Sequence, residues 1–325
     1  MSKKSIKNLF SIGMTVLVIA LFGIYIYRNQ EIIEVLGNVN ILYIIIVMLL
    51  FLVVFLLEGF FILITLRVFK KDISLKESYY LSTLSRIGNY LLPLRAGAVF
   101  RATYLKMKYD FEYTKFLSTL YGYYIILFLM YAIIALFTLL TKWVLSGEFY
   151  LLLTLFFGFL LLGMLFLIFV RFPFKKVLKK DSGIISKLIA FVSKFMDSWD
   201  MIVKGKKLFL SLVGVTLGSI FLNGVITFLE FLALGIGVRV LDILLYTCLS
   251  GVSLLISITP GSLGIREAVF LITSQSIGLS KGQIMQLAVL DRGIMFVLLL
   301  VVLILIVVFV REFKLRDVFF AKRED

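Results

Sequence analysis

The chain contains no histidine and a single cysteine in 325 residues, which excludes a histidine-centred metal site, a Cys-His nucleophile pair and a disulfide framework. Cys248 lies in an apolar run and reads as packing. Charge is also scarce, at 16% of residues, too little to clothe a soluble domain of this length. No GxxxxGK[ST] loop is present, so nothing points to ATP hydrolysis by this chain, and no cofactor is implied. Proline occurs only 3 times, and two of those positions, Pro93 and Pro260, interrupt otherwise apolar sequence.

What fills the chain is hydrocarbon: 62% of residues are hydrophobic and the mean hydropathy is +1.09. Because lipid offers the backbone no hydrogen bonds, such a composition predicts an all-α polytopic membrane protein. The net charge of +15 would point to nucleic acid in a soluble protein. Here the cations fall between apolar runs and follow the positive-inside rule, so no nucleic-acid partner is expected.

Six runs are long enough to cross a hydrocarbon core of about 30 Å, near Leu9 to Tyr27, Ile41 to Leu66, Phe116 to Thr141, Phe149 to Val170, Leu208 to Leu234 and Ile284 to Val310. The first imitates a secretory signal, but its length and the lack of a small-residue cleavage site predict an uncleaved span. Connections after Tyr27, Thr141 and Leu234 carry few cations and are expected outside. Lys70, Lys71 and Lys76, the cluster from Arg171 through Lys207, and the basic tail from Arg311 are expected inside, with both termini cytoplasmic.

Two regions are too broken to span: Ser78 to Lys108, and Ile243 to Ile277. The stretch Ile243 to Ile258 would reach only about 24 Å as a helix, so each region is expected to form a re-entrant hairpin. The breaks are marked by Pro93 and Gly97 in the first, and by Pro260, Gly261 and Gly264 in the second. The order span, span with a late glutamate (Glu58, Glu230), hairpin, span occurs twice in opposite orientation. That predicts an inverted repeat divided into residues 1–148 and 149–325. Between the halves, residues 174–207 form a basic stretch with apolar residues at helical spacing. It reads either as a helix on the anionic inner leaflet or as one packed on the protein's own cytoplasmic loops.

An ionisable side chain inside a span costs at least ~2.5 to 3.5 kcal/mol, so each needs a partner or a job. Arg95, Arg101, Arg266 and Arg292 offer planar donor forks suited to a phosphate, with helix N-termini near Ala96 and Ser262 adding backbone amides. Glu58, Glu230 and Glu267 would hold those arginines or carry protons. The bland alternative pairs Arg266 with Asp291 or Glu267, and Arg292 with Glu230. Asn89 and Asn223 read as helix bridges.

The segments NYLLPLRAGAVFRATYL and ITPGSLGIREAVF, with the late Asp291-Arg292, resemble the lysylphosphatidylglycerol synthase transmembrane-region family from about Ile41 to Val310. The resemblance rests on Asn89, Pro93, Arg95, Gly97 and Arg101, then Pro260, Gly261, Gly264, Arg266 and Glu267, and Arg292. It implies movement of aminoacylated phosphatidylglycerol or related lipids between leaflets, without the soluble synthase domain of some members. One departure is Ala98, where an acidic residue is expected, which opens the substrate to anionic phospholipids and polyprenyl-linked or sugar-phosphate lipids. A membrane-embedded lipid-modifying enzyme, or a scaffold for a lipid synthase or glycosyltransferase, are the competing expectations. Flat apolar outer faces leave room for a homodimer.

Overall fold

In a computed structural model the structure describes residues 37, 39–92, 95–169, 197–201, 203–256 and 259–309. The expected span at Leu9 to Tyr27, Pro93 of the first break, residues 174–196 of the basic stretch and the tail beyond 309 lie outside the described residues. Among the described residues the secondary structure is helical throughout, with no strand.

The long helices are α1 (Ile41–Val68), then, after two shorter ones, α4 (Tyr113–Ser146), α5 (Leu151–Phe169), α6 (Lys206–Ala233) and, last, α9 (Lys281–Phe309). These five are each long and apolar enough to cross a bilayer, and they correspond to the second through sixth expected runs. The short helices are α2 (Leu75–Leu91) and α3 (Ala96–Tyr109) before α4, and α7 (Val240–Val252) and α8 (Ile265–Ile272) before α9. Local chemistry sets their ends. Asn40 accepts the Leu42 amide at 3.0 Å to start α1, and Ser74 accepts that of Glu77 at 3.2 Å to start α2. Gly147, at φ 68°, closes α4 in the left-handed region that glycine favours.

Helices α1 and α6 pack antiparallel along much of their length, with the Asn40 amide reaching the Ala233 carbonyl at one end and Leu57 lying against Gly218 further along. Helix α2 folds back along α1, where the Ser82 hydroxyl donates to the Phe55 carbonyl at 2.9 Å. It then meets α3 backbone to backbone. A Cβ on Gly97 would stand 1.7 Å from the Ser85 carbonyl oxygen, so no larger residue fits that crossing. Helix α7 packs on α4 at a similar pinch, with Gly251 against the Tyr131 ring. Helix α5 leans on α4 through buried Phe157 and otherwise presents residues such as Leu152 and Phe159 outward.

The polar ends of the helices gather in two places. At one end Lys142, only 1% exposed, donates to Asp242 at 2.6 Å and to the Ser276 carbonyl at 2.6 Å, and pairs with Glu148 at 3.2 Å. Arg239 completes that network, bonding Asp242 at 2.7 Å and Glu148 at 3.0 Å. Hydrogen bonding from Arg239, reinforced by Lys142, holds the Glu148 carboxyl down to about 2. At the other end Glu77 accepts from Tyr104 at 2.6 Å and from Lys108 at 2.9 Å.

Candidate functional site

The two chain breaks face the interior of this bundle and meet there. After α7 the chain forms a 3-10 turn at Ser253–Ile256, and a second at Pro260–Ser262 leads into α8. Gly261 (φ 54°), Ser262 (φ 55°) and Gly264 (φ 83°) all adopt left-handed backbone, which explains two of the three glycine and proline signals read in ITPGSLG. The expected helix start near Ser262 is therefore displaced to Ile265, because three left-handed residues cannot continue a right-handed helix. The first break behaves as expected: α3 begins at Ala96, after Arg95 at φ 54°.

Between the breaks lies a cavity of about 320 Å³, lined from each of α1 to α9 except α5 and from both breaks. Arg95, Arg101, Arg266, Arg292, Glu58 and Glu230 all reach its wall, as does Gly261. Glu267 stands behind Arg292, and Gly97 and Gly264 shape the breaks without lining the space. Arg86 and Asp291 also line it, so five arginines face three carboxylates, with Glu267 a fourth just behind. The wall is net positive. Tyr90, Tyr123, Tyr124, Tyr131 and Tyr246 line the space as well.

The arginines are not equivalent. Arg86 makes a two-point pair with Glu58, Nε to Oε2 at 3.3 Å and Nη2 to Oε1, and lies 5.0 Å over the Phe55 ring. Arg292, 9% exposed, is engaged on every side: Nη2 and Nε donate to Glu267 Oε1 at 2.8 and 3.2 Å, and Nη1 donates to the Gly261 carbonyl. Glu267 Oε2 accepts the Gly264 amide at 2.8 Å. Glu267 and Arg292 thus form a bracket that ties α9 to the second break and to the first turn of α8. Tyr90 Oη on α2 donates to the Arg292 carbonyl at 3.1 Å, extending the bracket to α2. Arg266 Nη2 donates to Asp291, but its buried Nε has no partner among the described residues.

Arg101 differs from all of these. Its guanidinium lies 5.4 Å over the Phe116 ring, its buried Nε has no hydrogen-bond partner, and it forms no ion pair among the described residues. Glu230, 3% exposed, is its acidic counterpart: Oε1 is buried with no hydrogen-bond partner among the described residues, and the carboxyl lies near both Asp291 and Arg266. A buried polar atom without a partner is costly, so Arg101 Nε, Glu230 Oε1 and Arg266 Nε are the atoms that a ligand would satisfy.

Two expectations are corrected. Arg292 pairs with Glu267 and not with Glu230, because Nη2 and Nε are both spent on Glu267 and Nη1 on the Gly261 carbonyl. At each helix start one amide is already engaged: the Ala98 amide of α3 by Asn89 Oδ1 at 3.1 Å, and the Gly264 amide before α8 by Glu267. Asn89 joins α2 to α3, as a bridge should, whereas Asn223 bonds back to Ser219 of its own helix at 2.7 Å. Arg86 and Asp291, which hold Glu58 and Arg266, were visible as buried charges in the sequence. The tyrosines were not, since nothing separates them there from the phenylalanines beside them.

The family model described as the lysylphosphatidylglycerol synthase TM region matches residues 8–306. Neither a curated protein nor a solved structure matches the chain.

Proposed function

The chain belongs to the lysylphosphatidylglycerol synthase transmembrane-region family, and from that premise we propose that it is a lipid translocase, moving a phospholipid or glycolipid headgroup between leaflets. The observation that carries this reading is a net-positive cavity at the meeting of two chain breaks, lined by Arg101, whose buried Nε has no hydrogen-bond partner and which forms no ion pair among the described residues. A phosphate oxygen is the natural acceptor for that fork. Arg266 Nε, also unpartnered, would add a second donor, while Arg86 and Arg292 keep their carboxylates and shape the wall.

In this reading α2 with α3, and α7 with α8, are re-entrant hairpins entering from opposite sides of the membrane. Their lengths support it, since 17 and 13 residues reach only about 26 and 20 Å. The antiparallel packing of α1 on α6, which hold equivalent places in the two halves, supports an inverted repeat. The Lys142 network would face outside and the Lys108 end the cytoplasm, in a cell membrane, with both termini cytoplasmic. The protein would act without catalysis of its own.

Reconstitution into vesicles with headgroup-labelled phosphatidylglycerol tests this directly. Wild-type protein is expected to carry label to the far leaflet, and Arg101→Met to reduce the rate at least tenfold. Transport unaffected by Arg101→Met would sink the site assignment, and wild-type vesicles no faster than protein-free ones would sink the function. New lipid masses in the same vesicles would make the protein a lipid-modifying enzyme instead.

A further inference from the structure

One side chain crosses from the first break to the second. Arg95, held at φ 54° immediately before α3, donates from Nη2 to the carbonyl oxygen of Leu254 in the 3-10 turn that follows α7. Its guanidinium lies 4.6 Å over the Tyr124 ring of α4. Arg95, Tyr124 and Leu254 all line the cavity. Flanking this contact in sequence, Leu91 and Leu92 end α2, and Leu255 and Ile256 end the 3-10 turn. All four are exposed. Arg95 therefore joins the cavity wall to this apolar flank, and the acceptor it uses there is a neutral carbonyl.

We infer that Arg95 is the latch of a lateral seam between the two breaks, in which the acyl chains of an anionic phospholipid lie while its headgroup occupies the cavity. This rests on the translocase reading of the same cavity. A guanidinium bonds an anionic oxygen more strongly than a neutral one, because the attraction of opposite charges adds to the hydrogen bond. A phosphate arriving beside Tyr124 therefore displaces the Leu254 carbonyl as the acceptor of Arg95, and the acyl chains that follow it hold the released seam apart. A lipid with no net negative charge gives the guanidinium less reason to change partner, so the latch selects for anionic headgroups. The exposed leucines and isoleucine on either side then replace protein contact with hydrocarbon contact, which leaves the chains in lipid throughout.

The test is a distance measurement between spin labels at Leu92→Cys and Leu255→Cys in the full chain, in nanodiscs of phosphatidylcholine with and without phosphatidylglycerol. Phosphatidylglycerol is expected to add a longer-distance population that phosphatidylcholine alone lacks. Glycerol phosphate, which has no chains to hold the seam apart, is expected to leave the distribution unchanged. Arg95→Gln should show the longer population in both lipids, and Arg95→Lys, which keeps the charge without the fork, should fall between. Identical distributions in the two lipids would overturn the latch, as would an Arg95→Gln protein that responds like wild type. A full response to glycerol phosphate would overturn the seam as a site for acyl chains. Because no transport is measured, a seam that opens in a protein that fails to move lipid would leave this inference standing and remove only the translocase.

Discussion

The Glu267–Arg292 bracket separates a structural arginine from a ligand-binding one. Glu267 accepts three hydrogen bonds, from Gly264 N at 2.8 Å and from Arg292 Nη2 and Nε at 2.8 and 3.2 Å. Glu267→Leu alone leaves the Arg292 guanidinium buried with only the Gly261 carbonyl and frees the Gly264 amide. Breaking one side of a buried pair costs about 3 to 5 kcal/mol, or roughly two to three and a half decades in the folded-to-unfolded ratio. Replacing both partners, Glu267→Leu with Arg292→Met, removes the stranded charge. What remains is the loss of neutral hydrogen bonds at Gly264 and Gly261, about 1 kcal/mol each. The double variant should therefore be more stable than Glu267→Leu by about 1 to 3 kcal/mol. Unfolding of the solubilised protein, monitored by helical circular dichroism, reads the order, and binding of phosphatidylglycerol to the double variant reads the role. A double variant as unstable as Glu267→Leu would refute the bracket. One that folds well but binds no anionic lipid would show that Arg292 is itself a ligand.

Other changes give sharp expectations. Gly97→Ala drives a Cβ into the Ser85 carbonyl and should prevent α2 and α3 from closing, a loss of at least about 3 kcal/mol in the same unfolding measurement. Gly163→Ala in α5, with open space around it, should be within about 0.5 kcal/mol of wild type. Arg101→Met should stabilise the empty protein by about 1 to 3 kcal/mol, by removing an unsatisfied buried donor, while it abolishes lipid binding. The Glu148 carboxyl is lowered from 4.5 to about 2 by Arg239 and Lys142, so the folded state favours its ionised form. Its contribution is full above pH 4.5 and is lost as the pH falls toward 2. In Glu148→Gln that pH dependence should vanish, leaving the variant weaker than wild type at neutral pH and level with it near pH 2, as measured by thermal unfolding.

Much of this fold could be read because lipid makes the sequence simple. Apolar runs locate the five spans to within a few residues, although α4 extends past Thr141 to Ser146 and carries Lys142 inward. Read as a loop cation, Lys142 proves to be buried, because its partner Asp242 lies 100 residues away and no local pattern joins them. The breaks were legible for the same reason: a proline, or glycines that must take left-handed φ or permit a backbone crossing, stand out against Leu and Phe. Which arginine is free could not be read. Arg101 and Arg292 look alike in sequence, and only the positions of Glu267 and Gly261 decide that Arg292 is bracketed while Arg101 has no ion pair among the described residues. Tyr123 and Tyr124, likewise, become cavity walls only through the rotation of α4.

The most direct measurement is the position of phosphorus in an experimental structure of the protein with bound phosphatidylglycerol. A central anion site predicts a headgroup phosphate within hydrogen-bonding distance of Arg101, its chains leaving between Leu92 and Leu255. Lipid density confined to the outer faces of the helices, with the cavity filled only by water and Arg101 still unpartnered, would contradict it.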